Sequence, residues 1–321
     1  MGRNHVTHSD IAQFAKDKVN LPKDKADEHR AQVNTLKEKL EKYISEQPDF
    51  TLKKIMLSGS LAKGTSLRSI NDIDVACYIS GADAPKEIEK LLEYLAERLR
   101  KAYPNFTPDQ VKPQTYSVTV SFKTSGLDVD VVPIIYNGDK DWYGNLVSQD
   151  DGSLLETCIP NHIEFIRARK KKQETHFAQV IRLVKFWAKK RKIENPDFKF
   201  KSFMIELIMA KLIDDGQDFS DYPEALQNFF TYVAKSNIRE LISFTDYYPR
   251  IDIGKFTEPV RIIDPVNAKN NAAKLYTNKQ ADAIVDAAID AGDAIDAALA
   301  ATTKQDTIYY WQKVFGPSFT I

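Results

Sequence analysis

Cysteine is nearly missing from this chain: Cys77 and Cys158 are the only 2 among 321 residues. They stand far apart, with neither a CxxC pair nor a Cys/His cluster, which excludes a zinc ribbon. Such scarcity suits a reducing compartment. None of the 5 histidines forms a metal-spaced pair on an expected helix. No apolar run reaches the ~18–20 residues that a membrane span needs. The opening MGRNHVTHSD has no apolar stretch of a secretory leader. A soluble, cytoplasmic protein without a membrane partner is therefore expected. An excess of one charge is absent too: Lys+Arg and Asp+Glu are equal at 45 each. A protein that grips long nucleic acid usually shows a basic surplus or patch, so a duplex-binding surface is not expected. No internal repeat is visible.

What is present is an ordinary globular composition, 43% hydrophobic and 28% charged. Helical spacing predicts a short helix over 9–20 with Ser9 as its cap. A long, highly charged helix over 23–45 follows, with a narrow apolar stripe of Val33, Leu36, Leu40 and Ile44. KKIMLSG (53–59) reads as a short buried strand, SLAKGTSL as a small-residue turn entering a helix, and DIDVACYIS (72–80) as a second strand. A clear amphipathic helix is expected over 84–103. YSVTVSFKTSGLDVDVVPIIY (116–136) reads as two strands joined at Thr124–Gly126, the strand signal fading after Pro133. From about 152 onward the pattern is helical, with helices near 173–192, 200–214, 223–236 and 278–303 and an extended, Pro-punctuated stretch from Tyr248 to Pro265. The division expected is an α/β lobe over 1–151 and a helical lobe over 152–321.

Asp72 and Asp74 flank Ile73 inside an expected strand, although aspartate is depleted from strands. In LDVDVVP, Asp128 and Asp130 do the same on another strand, since alternate residues share a face. Four carboxylates on one sheet face repel unless cations lie among them. Mg²⁺ fits, because it takes hard oxygen ligands and is held by a few carboxylates plus substrate phosphates. Two such ions activate an attacking hydroxyl and neutralise a leaving pyrophosphate. Ahead of the first pair, Gly59-Ser60 brings backbone N–H groups and a hydroxyl to a helix N-terminus, where a phosphate can sit. GSLAKGTS lacks the GK[ST] ending of a P-loop. A GS turn alone is also simply a tight strand-to-helix turn; joined to DxD and a distant strand aspartate it carries more weight.

The series GSxxxGT, DIDV, DVDVVP resembles the DNA polymerase β-like nucleotidyltransferases. Within them it is most similar to the branch of oligoadenylate synthetases, cyclic GMP-AMP synthase and the bacterial CD-NTase cyclases of anti-phage signalling. IRLVKFWAKK (181–190), KSFMIELI (201–208), IIDPVNAKNN (262–271) and WQKVFGPSF (311–319) extend the likeness over nearly the whole chain. The resemblance implies a polymerase β-like mixed sheet with a long N-terminal helix, followed by a helical lobe of the oligoadenylate synthetase type, with the active site in the cleft between. It implies that Asp72, Asp74 and Asp130 bind two Mg²⁺, Mn²⁺ being a substitute, and that Asp130 acts as or orients the base. Asp130 is preferred over Asp128 because the third family aspartate directly precedes two apolar residues and a proline. Asp128 itself reads as a surface acid. Gly59, Ser60, Lys185 and Ser202 are assigned to the nucleotide's phosphates, and Phe203 to its base. Lys185 at the edge of an apolar helix face also suits a snorkelling surface lysine, and Phe203 also suits a core position. Asp264 and Asn271 read as structural first and ligand contacts second. RARKKK (167–172) reads as a solvated helix start, an RNA-facing patch being the lesser alternative.

Three activities compete on this scaffold. One joins NTPs, ATP among them, into a short cyclic second messenger with release of pyrophosphate. A second makes linear oligonucleotides or extends tRNA or other RNA 3′ ends. A third is a catalytically silent nucleotide-binding relative. Retention of all three carboxylates and the GS turn weighs against the third. No basic C-terminal region is found for an RNA stem, and little chain follows the late helix, which weighs against the second. The first is the expectation. Activation by duplex DNA is not expected, since the 2 scattered cysteines cannot build a zinc insertion; regulation is expected instead through a protein partner, a small molecule or de-repression in the cell.

Overall fold

Alternation of valine and isoleucine with polar residues builds a seven-stranded mixed sheet. The computed structural model describes residues 5–46, 51–70, 72–80, 87–147 and 153–321. β1 (Leu52–Leu57), β2 (Asp72–Ser80), β5 (Leu127–Tyr136), β4 (Val118–Phe122) and β3 (Val111–Pro113) lie side by side in that order, and β6 (Gly144–Val147) with β7 (Leu154–Thr157) extends the sheet from the end of β5. β2 and β5 run parallel; the other neighbours are antiparallel. Between β1 and β2 lies the short helix α3 (Gly59–Lys63).

Parity along the strands decides what each face does. Ile73, Val75, Val129 and Val131 are fully buried and pack with Val33, Leu36 and Leu40 of α2 (Lys23–Glu46) and Leu91, Leu95 and Leu99 of α4 (Ile88–Ala102). The long charged helix thus covers one sheet face with a narrow stripe, as expected. On the other face, Ala76, Tyr78 and Ile134 are buried under Tyr136, Trp142, Leu146 and Ile159. That cover stops short of the strand beginnings, where Asp72 and Asp74 are exposed and Asp128 and Asp130 half-buried. Cys77 and Cys158 are free and buried, and burial pushes the Cys158 thiol up to about 11.

Two sequence expectations are corrected in this half. β5 does not fade after Pro133 but continues to Tyr136 along β2. On its other side β4 ends opposite Val131 and β6 begins opposite Ile135, so Pro133 falls in a gap between partners where a missing N–H costs no ladder bond on that side. Nor does helix begin directly at the next described residues, because β7 pairs with β6, Gly144 opposite Thr157 and Val147 opposite Leu154, before α5 starts.

Two compact units result: Leu21–Glu164, and Met1–Asn20 together with Phe165–Ile321. The expected boundary between 151 and 152 lies outside the described residues; the division falls inside α5 (Ile159–Lys172). The first residues belong with the later helices rather than with the sheet. α1 (His8–Phe14) and the π-turn Ala15–Val19 bury Ile11, Phe14, Ala15 and Val19, and the Phe14 ring packs on Phe186, Phe315 and Phe319. The cap of α1 is Thr7, not Ser9: its hydroxyl accepts from Asp10 N–H while the Asp10 carboxylate accepts from Thr7 N–H.

The same unit holds α6 (His176–Glu194), α7 (Ser202–Asp214), α8 (Tyr222–Ser236), α9 (Asn278–Ala300), α10 (Lys304–Phe315) and a small sheet of β8 (Leu241–Ile242), β9 (Arg261–Asp264) and β10 (Asn267–Asn271). RARKKK closes α5 instead of opening a helix. Within it Arg169, 4% exposed, bonds Asp214 and Asp246 and lies over the Phe165 ring. Asp264 and Asn271 are buried hydrogen-bonding hubs of the small sheet: Asp264 accepts from Val266 N–H and the Asn270 amide, and Asn271 bonds Ile262, Val260 and Ala273 backbone groups. Among the described residues no helix is long and apolar enough to cross a membrane.

Candidate active site

The parallel pairing of β2 with β5 sets Asp72 opposite Asp128 and Asp74 opposite Asp130. All four carboxylates therefore share the open part of one sheet face, with the valines and Ile73 committed to the core behind them. Like charges directly opposite one another destabilise a strand pair, and a cationic ligand among these carboxylates would relieve that cost. On β4, Thr119 lies opposite Asp130, and its hydroxyl donates to Asp130 Oδ1 at 2.5 Å.

Gly59 brings the preceding turn against this face. Its φ of +59° is in the left-handed region that favours glycine, and a Cβ there would collide with the Asp74 carboxylate. The turn is tied down by Ser58 N–H donating to Asp74 C=O at 2.8 Å. Ser60 exchanges a hydroxyl hydrogen bond with Ser66 at 3.0 Å, and its carbonyl accepts from Thr65 N–H at 2.9 Å. Gly64, at φ +73°, ends α3 after five residues. Gly59 thus lies against Asp74, and Ser60 follows it at the start of α3.

Asp74 and Asp130 form the floor of an open pocket of about 430 Å³ whose wall is the β3–β4 turn: Gln114, Thr115, Tyr116 and Ser117, with Thr119 and Val132. These wall residues were missed by the sequence reading. The available signal was the run Ser117, Thr119, Ser121, hydroxyls alternating with Val118 and Val120 on the face that register shares with Asp128 and Asp130.

The other three expected contacts belong to the helical unit. Lys185 is buried rather than at the edge of an apolar face, and its ammonium pairs with Glu206 at 2.5 Å, both side chains being 3% exposed. Ser202 opens α7 and is exposed; Phe203 beside it is half-buried. Glu206, one turn further along α7, is the partner that the sequence reading did not single out.

The donor set near the GS turn is all carboxylate, the hard-oxygen chemistry that Mg²⁺ and Mn²⁺ take, and only a glycine at 59 lets the turn lie against the Asp74 carboxylate. These residues fit a divalent ion by chemistry and by face. Among the described residues, however, no group of three or more His, Cys, Asp or Glu side chains is drawn together closely enough to hold one. The carboxylates are aligned but not gathered.

Known proteins resemble this chain over nearly its whole length. The model of the Second Messenger Oligonucleotide or Dinucleotide Synthetase domain matches residues 6–167. A cyclic AMP-AMP-AMP synthase from Escherichia coli (strain MS 115-1) is 64% identical, with 99% of each chain covered. A CBASS oligonucleotide cyclase CdnC from Escherichia coli (strain KTE188) is 35% identical, with 98% of each covered. The solved structure of E. coli MS115-1 CdnC with ATP superposes with a TM-score of 0.94 at 64% identity, over 99% of this chain and 100% of that one. The CdnC:HORMA-deltaN complex from the same strain gives 0.93 at 63% identity, over 99% of both chains.

Proposed function

The chain belongs to the second messenger oligonucleotide or dinucleotide synthetase family, and from that premise we propose that it condenses ATP into a cyclic oligonucleotide of anti-phage signalling. Cyclic AMP-AMP-AMP is the product for which its 64% identical relative is named, and it is the product proposed here. The observation that carries the reading is the in-register pairing of Asp74 with Asp130, with the Gly59 backbone closed against Asp74.

In each transfer a ribose hydroxyl of one nucleotide attacks the α-phosphorus of another. A P–O bond forms, the bond to pyrophosphate breaks, and the hydroxyl proton passes to Asp130 or to water that Asp130 orients. Ring closure repeats the step within the linear product, so each phosphodiester releases one pyrophosphate. Asp72, Asp74 and Asp130 are the residues that would hold two Mg²⁺ or Mn²⁺. When bound, those ions supply charge neutralisation at the triphosphate and favour the ionised hydroxyl. Gly59 offers backbone N–H and Ser60 its hydroxyl to a phosphate. On the helical unit itself, Lys185 and Ser202 are the phosphate contacts we propose and Phe203 the base contact. The Lys185 ammonium donates to Glu206, which helps to set its direction. Positioning and charge stabilisation supply most of the catalysis in phosphate chemistry.

A relative has been solved with HORMA-deltaN, and a HORMA-domain protein is the regulatory partner we propose, in the cytoplasm, in place of duplex DNA. The site assignment is tested by Asp74→Asn and Asp130→Asn. Each is expected to abolish pyrophosphate release from ATP; release at the wild-type rate from either variant overturns the assignment.

A further inference from the structure

The proposed reaction asks Asp130 to hold one orientation, yet a carboxylate on a half-open strand turns about its own Cβ–Cγ bond. In this structure Asp130 is not left to turn. Thr119, its register partner on β4, donates its hydroxyl to Oδ1 at 2.5 Å. The contact is built by the sheet itself, because antiparallel pairing places the two Cβ atoms on the same face about 4.5–5.5 Å apart. The β-branched threonine is stiff about χ1, so the hydroxyl direction is fixed by the backbone. Val118 and Val120 on either side are fully buried, which locks the strand and its parity. Both Thr119 and Asp130 line the same pocket, with Asp74 across from them.

We propose that Thr119 is a positioning residue for Asp130: its hydroxyl occupies Oδ1 and fixes the carboxylate plane, presenting Oδ2 to the divalent ion and the attacking hydroxyl. This rests on the active-site reading above and deepens it. Threonine suits the task better than an apolar residue of the same shape because only the hydroxyl supplies the bond; valine preserves volume and strand preference. Removing a group that orients a metal-ligating carboxylate typically costs about 10–100-fold in metal affinity or activity.

The experiment compares wild type, Thr119→Val, Thr119→Ser and Asp130→Asn in two readouts. One is Mn²⁺ binding to the nucleotide-free protein by calorimetry; the other is kcat and KM for ATP from pyrophosphate release. Thr119→Val is expected to weaken Mn²⁺ binding by about 10-fold or more and to lower kcat by a similar factor with KM for ATP held. Thr119→Ser, which keeps a hydroxyl, should recover most of both. Wild-type Mn²⁺ affinity and kcat in Thr119→Val would overturn the proposal, as would a Thr119→Ser as impaired as Thr119→Val. Circular dichroism and thermal midpoints report folding; if Thr119→Val unfolds, the serine and a Thr119→Cys variant decide by the same comparison of hydroxyl against thiol. Full activity in Asp130→Asn would instead remove the active-site reading itself, which separates the two failures.

Discussion

At Gly59 the backbone adopts φ +59° against the Asp74 carboxylate. An L-residue in that region costs about 1–2 kcal/mol on backbone grounds alone, and a methyl group would also displace the carboxylate. Gly59→Ala is therefore expected to retain the circular dichroism spectrum of the fold and lose at least 10-fold in turnover; a fully active Gly59→Ala contradicts the close approach. The buried Lys185–Glu206 pair gives a second test. Cutting it on one side leaves an uncompensated charge, so Glu206→Ala should destabilise the protein by about 3–5 kcal/mol in urea unfolding. A joint Lys185→Met/Glu206→Leu change should unfold near wild type yet fail to turn over ATP, because the ammonium is gone. If that double variant were active, Lys185 would be core and nothing more. The sequence showed Lys185 beside an apolar stripe but not its depth, because its partner sits 21 positions away on another helix.

On the scale of elements, β2 and β5 were readable because DIDV (72–75) and DVDV (128–131) alternate strictly, and parity tells which side is core. Their parallel register, which sets Asp74 against Asp130, was not readable, since nothing in either segment names its neighbour. β6 and β7 were missed because strands of four residues carry too few alternations to stand out. The aligned carboxylates predict that Asp72→Ala/Asp74→Ala abolishes turnover and leaves the metal-free thermal midpoint unchanged or raised, like charges having been removed. A midpoint falling by many degrees would show that the acids serve the fold.

α1 makes a separate prediction. His8 packs on Tyr222 and His176, its Nδ1 is buried without a partner, and burial with His176 nearby holds its imidazole below the ordinary range despite Asp221. A histidine with a lowered folded pKa favours the neutral form. Its contribution is complete above the unfolded value of about 6.5 and is lost as pH falls through that value towards the folded one. Amide protection in α1 should therefore drop between pH 7.5 and pH 5.5 in the wild type and hold in His8→Phe. Equal protection at both values in the wild type contradicts the effect.

For the whole molecule, equal numbers of acidic and basic residues, 45 each, argue against a surface that grips long nucleic acid. The family to which the chain belongs makes second-messenger oligonucleotides or dinucleotides, and the carboxylate face and GS turn are the site proposed for that chemistry. The expectation of two lobes came from the shift from strands to helices. The grouping of residues 1–20 with the later helices was not legible in the sequence, because the apolar face of α1 fits any core and only the aromatic cluster around Phe14 selects one. The measurement that tests the central claim most directly is mass spectrometry of phosphatase-treated products from purified protein, ATP and Mg²⁺ or Mn²⁺, with and without a HORMA-domain partner. A phosphatase-resistant species at the mass of cyclic AMP-AMP-AMP, absent with Asp130→Asn, is the predicted result. Products that are all phosphatase-sensitive linear oligomers, or no product under any of these conditions, would contradict the account.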